Sequence, residues 1–130
     1  MIRPAAIALT AILFLPASLP AVAQDLDIDA VFNCSADGPL GDQTPEQCLA
    51  ARTLMFNNCT SCHSFVPIVK AQKNDAAWTS LLDGHRERVL HVSDDDFKLL
   101  GDFLRSHFND TQPVPQLPPA LESLGTNQPA

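Results

Sequence analysis

Residues 59–63 read CTSCH: two cysteines three positions apart, with a histidine directly after the second. The spacing is that of a c-type haem attachment site. Cys59 and Cys62 would each form a thioether to a haem vinyl group, and His63 would ligate the iron from one side. A chain that tethers a flat group in this way must build apolar walls for both of its faces. It must also supply a ligand on the second side or leave that side open.

The start of the chain bears on what the cysteines can be. "MIRPAAIALTAILFLPASLPAVAQ" places Arg3 before an apolar run from Ala5 to Leu15, then Pro16 and Pro20, then the small-residue stretch AVA at 21–23. This pattern predicts a secretory signal peptide over residues 1–23. The run is shorter than the ~20 residues a spanning helix needs, and no later segment could cross a membrane. All four cysteines fall after the expected cleavage point. An exported, periplasmic chain meets an oxidising compartment, where disulfides form and where c-type haem is attached. Cys34 and Cys48 are too far apart for haem attachment, and oxidation leaves them no better partner than each other. A disulfide between them is therefore expected, tying the segment before residue 44 to the first long helix.

The chain carries 15 acidic and 8 Lys or Arg residues, a formal net charge of −7. Losing Arg3 makes the mature part more acidic. Such a surface does not bind nucleic acid or anionic membrane by counterion release. It suits a partner with a basic docking patch.

Residues 24–43 carry acids, Gly38, Pro39 and Gly41 without a sustained period, and read as an irregular leader. A helix is predicted over 45–57: Thr44 is the N-cap, Pro45 fits the first helical position, and Gln47 completes a capping box. Cys48, Ala51, Met55 and Phe56 form its apolar stripe. After the CTSCH motif, "SFVPIVKAQKN" reads as a mostly irregular loop turned at Pro67. A second helix starts near Asn74 or Asp75, and Gly84 weakens it enough that it bends or ends there. Ser93 caps a third helix whose stripe is Phe97, Leu100, Gly101, Leu104 and Phe108. Asp94, Asp95 and Asp96 sit in its first turn, where the helix dipole favours negative charge. From residue 111 to 130 the chain is proline-rich and reads as an extended tail that docks on a partner.

The ordered span, residues 44–110, is near the size at which a protein core alone is marginal and a staple is needed. A covalent haem would be that staple. Phe56, Phe65, Val66, Ile68, Leu81, Leu82 and Leu100 are candidates for its walls.

A capped helix entering CTSCH, a tryptophan-led helix and then "SDDDFKLLGDFL" resemble the layout of small monohaem cytochromes c of class I type. The pattern looks closest to the small cytochrome subunits or partners of periplasmic dehydrogenases such as sulfite dehydrogenases. The resemblance spans residues 44–108. It implies an all-α fold of about three helices around one covalent haem c, with the first and last helices in contact near Gly101. It also implies an electron carrier without catalysis of its own. In that family the sixth iron ligand is usually a methionine in or just after the tryptophan-led segment. Here the expected mature chain has only Met55, four residues before Cys59, from where it could hardly reach the far face. The position where the family's methionine is sought is His85, which makes bis-histidine ligation the expectation. His91, His107 and an open iron position remain competitors.

Two other classes stay open at this level. A haem sensor or enzyme needs an open iron position. A haem-free module would use Cys59, Cys62 and His63 for zinc, or the cysteine pair for disulfide exchange.

Overall fold

The computed structural model describes residues 28–126, so the expected signal segment lies outside the described residues. Those residues form an all-α structure of six helices: α1 (Ile28–Val31), α2 (Pro45–Cys59), α3 (Val66–Val69), α4 (Asp75–His85), α5 (Asp94–His107) and α6 (Pro119–Thr126). A single 3₁₀ turn, Arg86–Arg88, extends α4.

α2 begins as its sequence dictates. The Gln47 amide N–H donates to Thr44 Oγ1 at 3.3 Å, and the Thr44 N–H donates to Gln47 Oε1 at 2.8 Å. These bonds satisfy two amides that a bare helix start leaves unpaired. The helix runs two residues past its expected end. Near that end, Asn58 Nδ2 donates to Leu54 O at 2.8 Å and Thr60 Oγ1 to Phe56 O at 2.6 Å. Side-chain donors thus meet carbonyls of the last turns, and Cys59 stays helical. α4 and α5 start on the same principle, with Asn74 Oδ1 accepting from Ala77 N at 2.9 Å and Ser93 Oγ accepting from Asp96 N at 3.1 Å.

α2 and α5 pack against one another, and α5 also packs on α4. Cys48, Ala51 and Met55 are buried on α2, opposite Leu100, Phe103, Leu104 and His107 on α5. Gly101 was expected where the two long helices meet. A Cβ there would lie 3.1 Å from Arg105 Nη2 on its own helix and 3.2 Å from Leu82 Cδ1 on α4, so the nearest neighbours of this glycine are not on α2.

Three stretches read as irregular turn out to be structural. The leader forms α1 and delivers Phe32, which is fully buried. Its ring sits 5.2 Å from Phe56, 5.9 Å from Phe65 and 5.7 Å from Phe108, centroid to centroid. A lone aromatic among acids and glycines has no periodic partner, so pattern reading misses it. The loop after CTSCH contains α3, a single turn with Pro67 in its first positions, where a missing N–H costs nothing.

The tail is the third. It folds back as α6 against α3, Lys70 pairs with Glu122, and Leu117 is buried in the core. The expectation of an extended tail is thereby corrected over Pro119–Thr126. The stretch "PALESLG" carries alanine and leucines behind a proline at the first helical position, a helix start that the surrounding prolines disguise.

Candidate functional site

Cys59 is the last residue of α2, and Cys62 and His63 lie in the turn that leaves it. They open onto a solvent-connected cleft of about 120 Å³. Its walls include Ile68, Trp78, Leu81, Leu82, Leu100 and Leu104, and His85 lies on its edge. The lining, mostly apolar with a few convergent polar groups, is that of a small-molecule or cofactor cleft.

α4 and α5 hold the walls in place. Trp78 is buried, and its indole Nε1–H donates to Phe108 O at 2.9 Å, which ties the start of α4 to the end of α5. In the segment before α4, the Lys73 amide donates to the same carbonyl at 3.2 Å. Arg86 is committed to structure. It donates to Val89 O at 2.9 Å, Val92 O at 3.0 Å and Asp94 Oδ1 at 2.8 Å. Its guanidinium also lies 4.9 Å from the centre of the Phe97 ring. Arg88 is the arginine that lines the cleft.

The four histidines separate cleanly. His63 Nδ1 donates to Ser64 O at 2.8 Å. His85 Nδ1 donates to Leu81 O, also at 2.8 Å. A carbonyl oxygen only accepts, so both rings carry a proton on Nδ1, and in the neutral ring Nε2 is then the nitrogen with the lone pair. That is the tautomer a metal-binding imidazole needs. His91 is different. Its Nε2 lies 2.7 Å from Asn58 Oδ1, an oxygen whose own amide nitrogen already donates to Leu54 O, and His91 does not line the cleft. His107 is buried elsewhere, with Nε2 3.1 Å from Asn33 O and 3.5 Å from Cys48 Sγ. Burial lowers its pKa, against the raising effect of its bonds to Asn33 and Phe103.

Of the expected wall residues, Ile68, Leu81, Leu82 and Leu100 line the cleft, whereas Phe56, Phe65 and Val66 belong to the core behind it. Sequence reasoning gave Trp78, Val89, Phe97 and Leu104 no place on these walls. The α5 pair could have been found, because Phe97 and Leu104 share the helical stripe with Leu100. Met55 is fully buried and does not line the cleft. A Cβ on Gly84 would meet no atom within 4 Å, so its lack of a side chain answers no crowding from the chain itself.

Cys34 and Cys48 are joined by a disulfide, with Cα atoms 5.5 Å apart. Cys59 and Cys62 are free thiols. Burial pushes the Cys59 thiol up, and the neighbouring Cys62 adds to it. A disulfide-exchanging pair needs the opposite shift, commonly provided by a helix N-terminus. Cys59 stands at a helix C-terminus, where the dipole disfavours a thiolate. Among the described residues, one group of three His, Cys, Asp or Glu donors lies within 4.8 Å of one another: Cys34, Cys48 and His107. Cys59, Cys62 and His63 do not converge in that way. No described helix is long and apolar enough to cross a membrane. No family model, curated protein or solved structure matches this chain.

Proposed function

We propose that this chain is a periplasmic electron-transfer cytochrome that holds one haem c in the cleft between CTSCH, α4 and α5. One observation carries the reading. Cys59, Cys62, His63 and His85 all open onto the same apolar cleft, and both histidines bond a carbonyl through Nδ1, which leaves Nε2 as the nitrogen available to a metal.

Cys59 and Cys62 would hold the group through thioethers, and His63 and His85 would ligate its iron through Nε2. Bound there, the haem would supply an iron that takes up and releases one electron. The chain's part is to orient and to exclude water. The Ser64 and Leu81 carbonyls fix the two rings, and Ile68, Trp78, Leu81, Leu82, Leu100 and Leu104 remove water from the walls. Imidazole in place of methionine lowers the potential, since axial ligand identity is a main lever on it. A site with both axial positions filled favours electron transfer over binding of oxygen or peroxide. The acidic surface suits a redox partner with a basic patch, of which a periplasmic dehydrogenase is one class.

The raised Cys59 pKa and the unconverged motif donors weigh against the disulfide-exchange and zinc readings. The experiment is covalent haem staining of the exported protein, followed by spectra of both oxidation states with and without carbon monoxide. A stained, low-spin protein indifferent to carbon monoxide is expected. A protein without covalent haem sinks the reading, and one that binds carbon monoxide turns it toward a sensor or enzyme.

A further inference from the structure

The C-terminal helix touches the segment that carries His63. Ser64 provides two links at once. Its carbonyl accepts from His63 Nδ1 at 2.8 Å, and its hydroxyl donates to Leu124 O of α6 at 3.3 Å. Two further contacts hold α6 against α3, the turn that follows. Lys70 pairs with Glu122. Gly125 lies so close to Val66 that a Cβ on it would stand 2.8 Å from Val66 Cγ1. The approach therefore requires glycine. Leu117, buried in the core, anchors the chain just before the helix.

We propose that α6 is a clamp that positions His63. By fixing Ser64 and α3 it keeps the Ser64 carbonyl on His63 Nδ1, and so fixes the orientation of the ring. Ser64, Glu122 and Gly125 are positioning residues on this account; none of them lines the cleft. The physical basis is the orientation of a metal-binding imidazole by the bond its other nitrogen makes. Here that acceptor lies between the CTSCH turn and α3, next to the buried Phe65, and α6 packs over it through the Ser64 hydroxyl. The clamp rests on the reading of His63 as an iron ligand, but its effect on the ring is measurable without haem.

The test uses the full chain. Gly125→Val with Glu122→Lys forces a side chain against Val66 and opposes Lys70, while Ser64→Ala removes the hydroxyl and leaves the carbonyl. The double variant should speed amide exchange at residues 66–70 by about tenfold, the consequence of losing contacts worth about 1 kcal/mol or slightly more. Its His63 ring should show both tautomers by nitrogen NMR where the wild type shows Nδ1–H. In haem-loaded protein the midpoint potential should shift. Lys70→Glu combined with Glu122→Lys, which restores the ion pair reversed, should return all three readouts. Asp29→Ala, which removes the ion pair between α1 and Arg52, should move none of them. Unchanged His63 tautomer and exchange at 66–70 in the double variant overturn the clamp, whether or not α6 itself loosens. A wild type without covalent haem removes the electron-transfer reading, yet the ring signals and the exchange still decide the clamp.

Discussion

Two apolar regions lie side by side in this molecule and are completed in different ways. Behind α2, Phe32, Phe56, Phe65, Phe103 and Phe108 close on one another edge to face, and Phe32, Phe103 and Phe108 are at most 1% exposed. In front, Ile68, Leu81, Leu82, Leu100 and Leu104 face a cleft open to solvent. The first region is closed by the chain itself. The second shares Leu82, Leu100 and Leu104, all buried, with the same core cluster as the phenylalanines, and is left open on its outer side. A small domain can therefore close one side of its core with its own side chains and keep the other side available to a ligand.

The largest effect sharpens that contrast. Replacing both Cys59 and Cys62 by alanine should abolish covalent haem entirely, read by gel staining, and leave the chain largely unfolded, read by near-ultraviolet circular dichroism, because a span of this size needs a staple. A double variant that keeps its aromatic signal would show that the closed side of the core holds without the open one.

Phe32→Ala attacks the other side. It should cost about 3–5 kcal/mol in a denaturant titration, since a fully buried ring with aromatic neighbours on several sides leaves a cavity. A cost below about 1 kcal/mol would mean that the rear core is not closed.

Replacing Cys34 and Cys48 by serine should cost about 3 kcal/mol through the lost loop constraint, a cost that reductant should reproduce in the wild type. The shift belongs to the rear region, so spectra of the haem-loaded cleft should not change below the melting temperature.

His107 offers the smallest and most selective test. Its folded pKa lies below the ordinary imidazole value of about 6.5, because burial opposes the charge. Between those two values the unfolded chain binds the extra proton and the folded chain does not. Its stabilising contribution is therefore complete above about 6.5 and is lost as pH falls through the folded value. Melting temperature should fall from pH 7.5 to 5.5, and His107→Gln should flatten the slope over that window. An unchanged slope would remove His107 from the account.

How far the sequence revealed this arrangement depends on what carries each part. Capped, periodic elements were legible: Thr44 with Gln47, Asn74 and Ser93 each announce a helix through a side chain that meets an orphan amide. The α4 stop after Gly84 was legible from a different local cue, the low helix propensity of glycine. What escaped were contacts between segments distant in the chain. Phe32 has no period around it, and its value comes from Phe65 and Phe108. α6 begins amid prolines, and its place is set by Val66 and Lys70. At the site, CTSCH was self-announcing. His85 came from its position relative to Trp78 and is found on the cleft edge, whereas assigning Phe56, Phe65 and Val66 to the walls failed. Those three alternate between two apolar regions that only packing can tell apart.

On the proposed reading, four thiols in one chain would pose a sorting problem, and the positions of the pair Cys34–Cys48 bear on its answer. A polypeptide threaded through a membrane N-terminus first would present Cys34, then Cys48, before Cys59 and Cys62 emerge. An oxidase on the far side would meet the first pair before the second. Chain order would then act as a queue, joining the first two thiols to each other ahead of the later pair and leaving that pair for haem attachment.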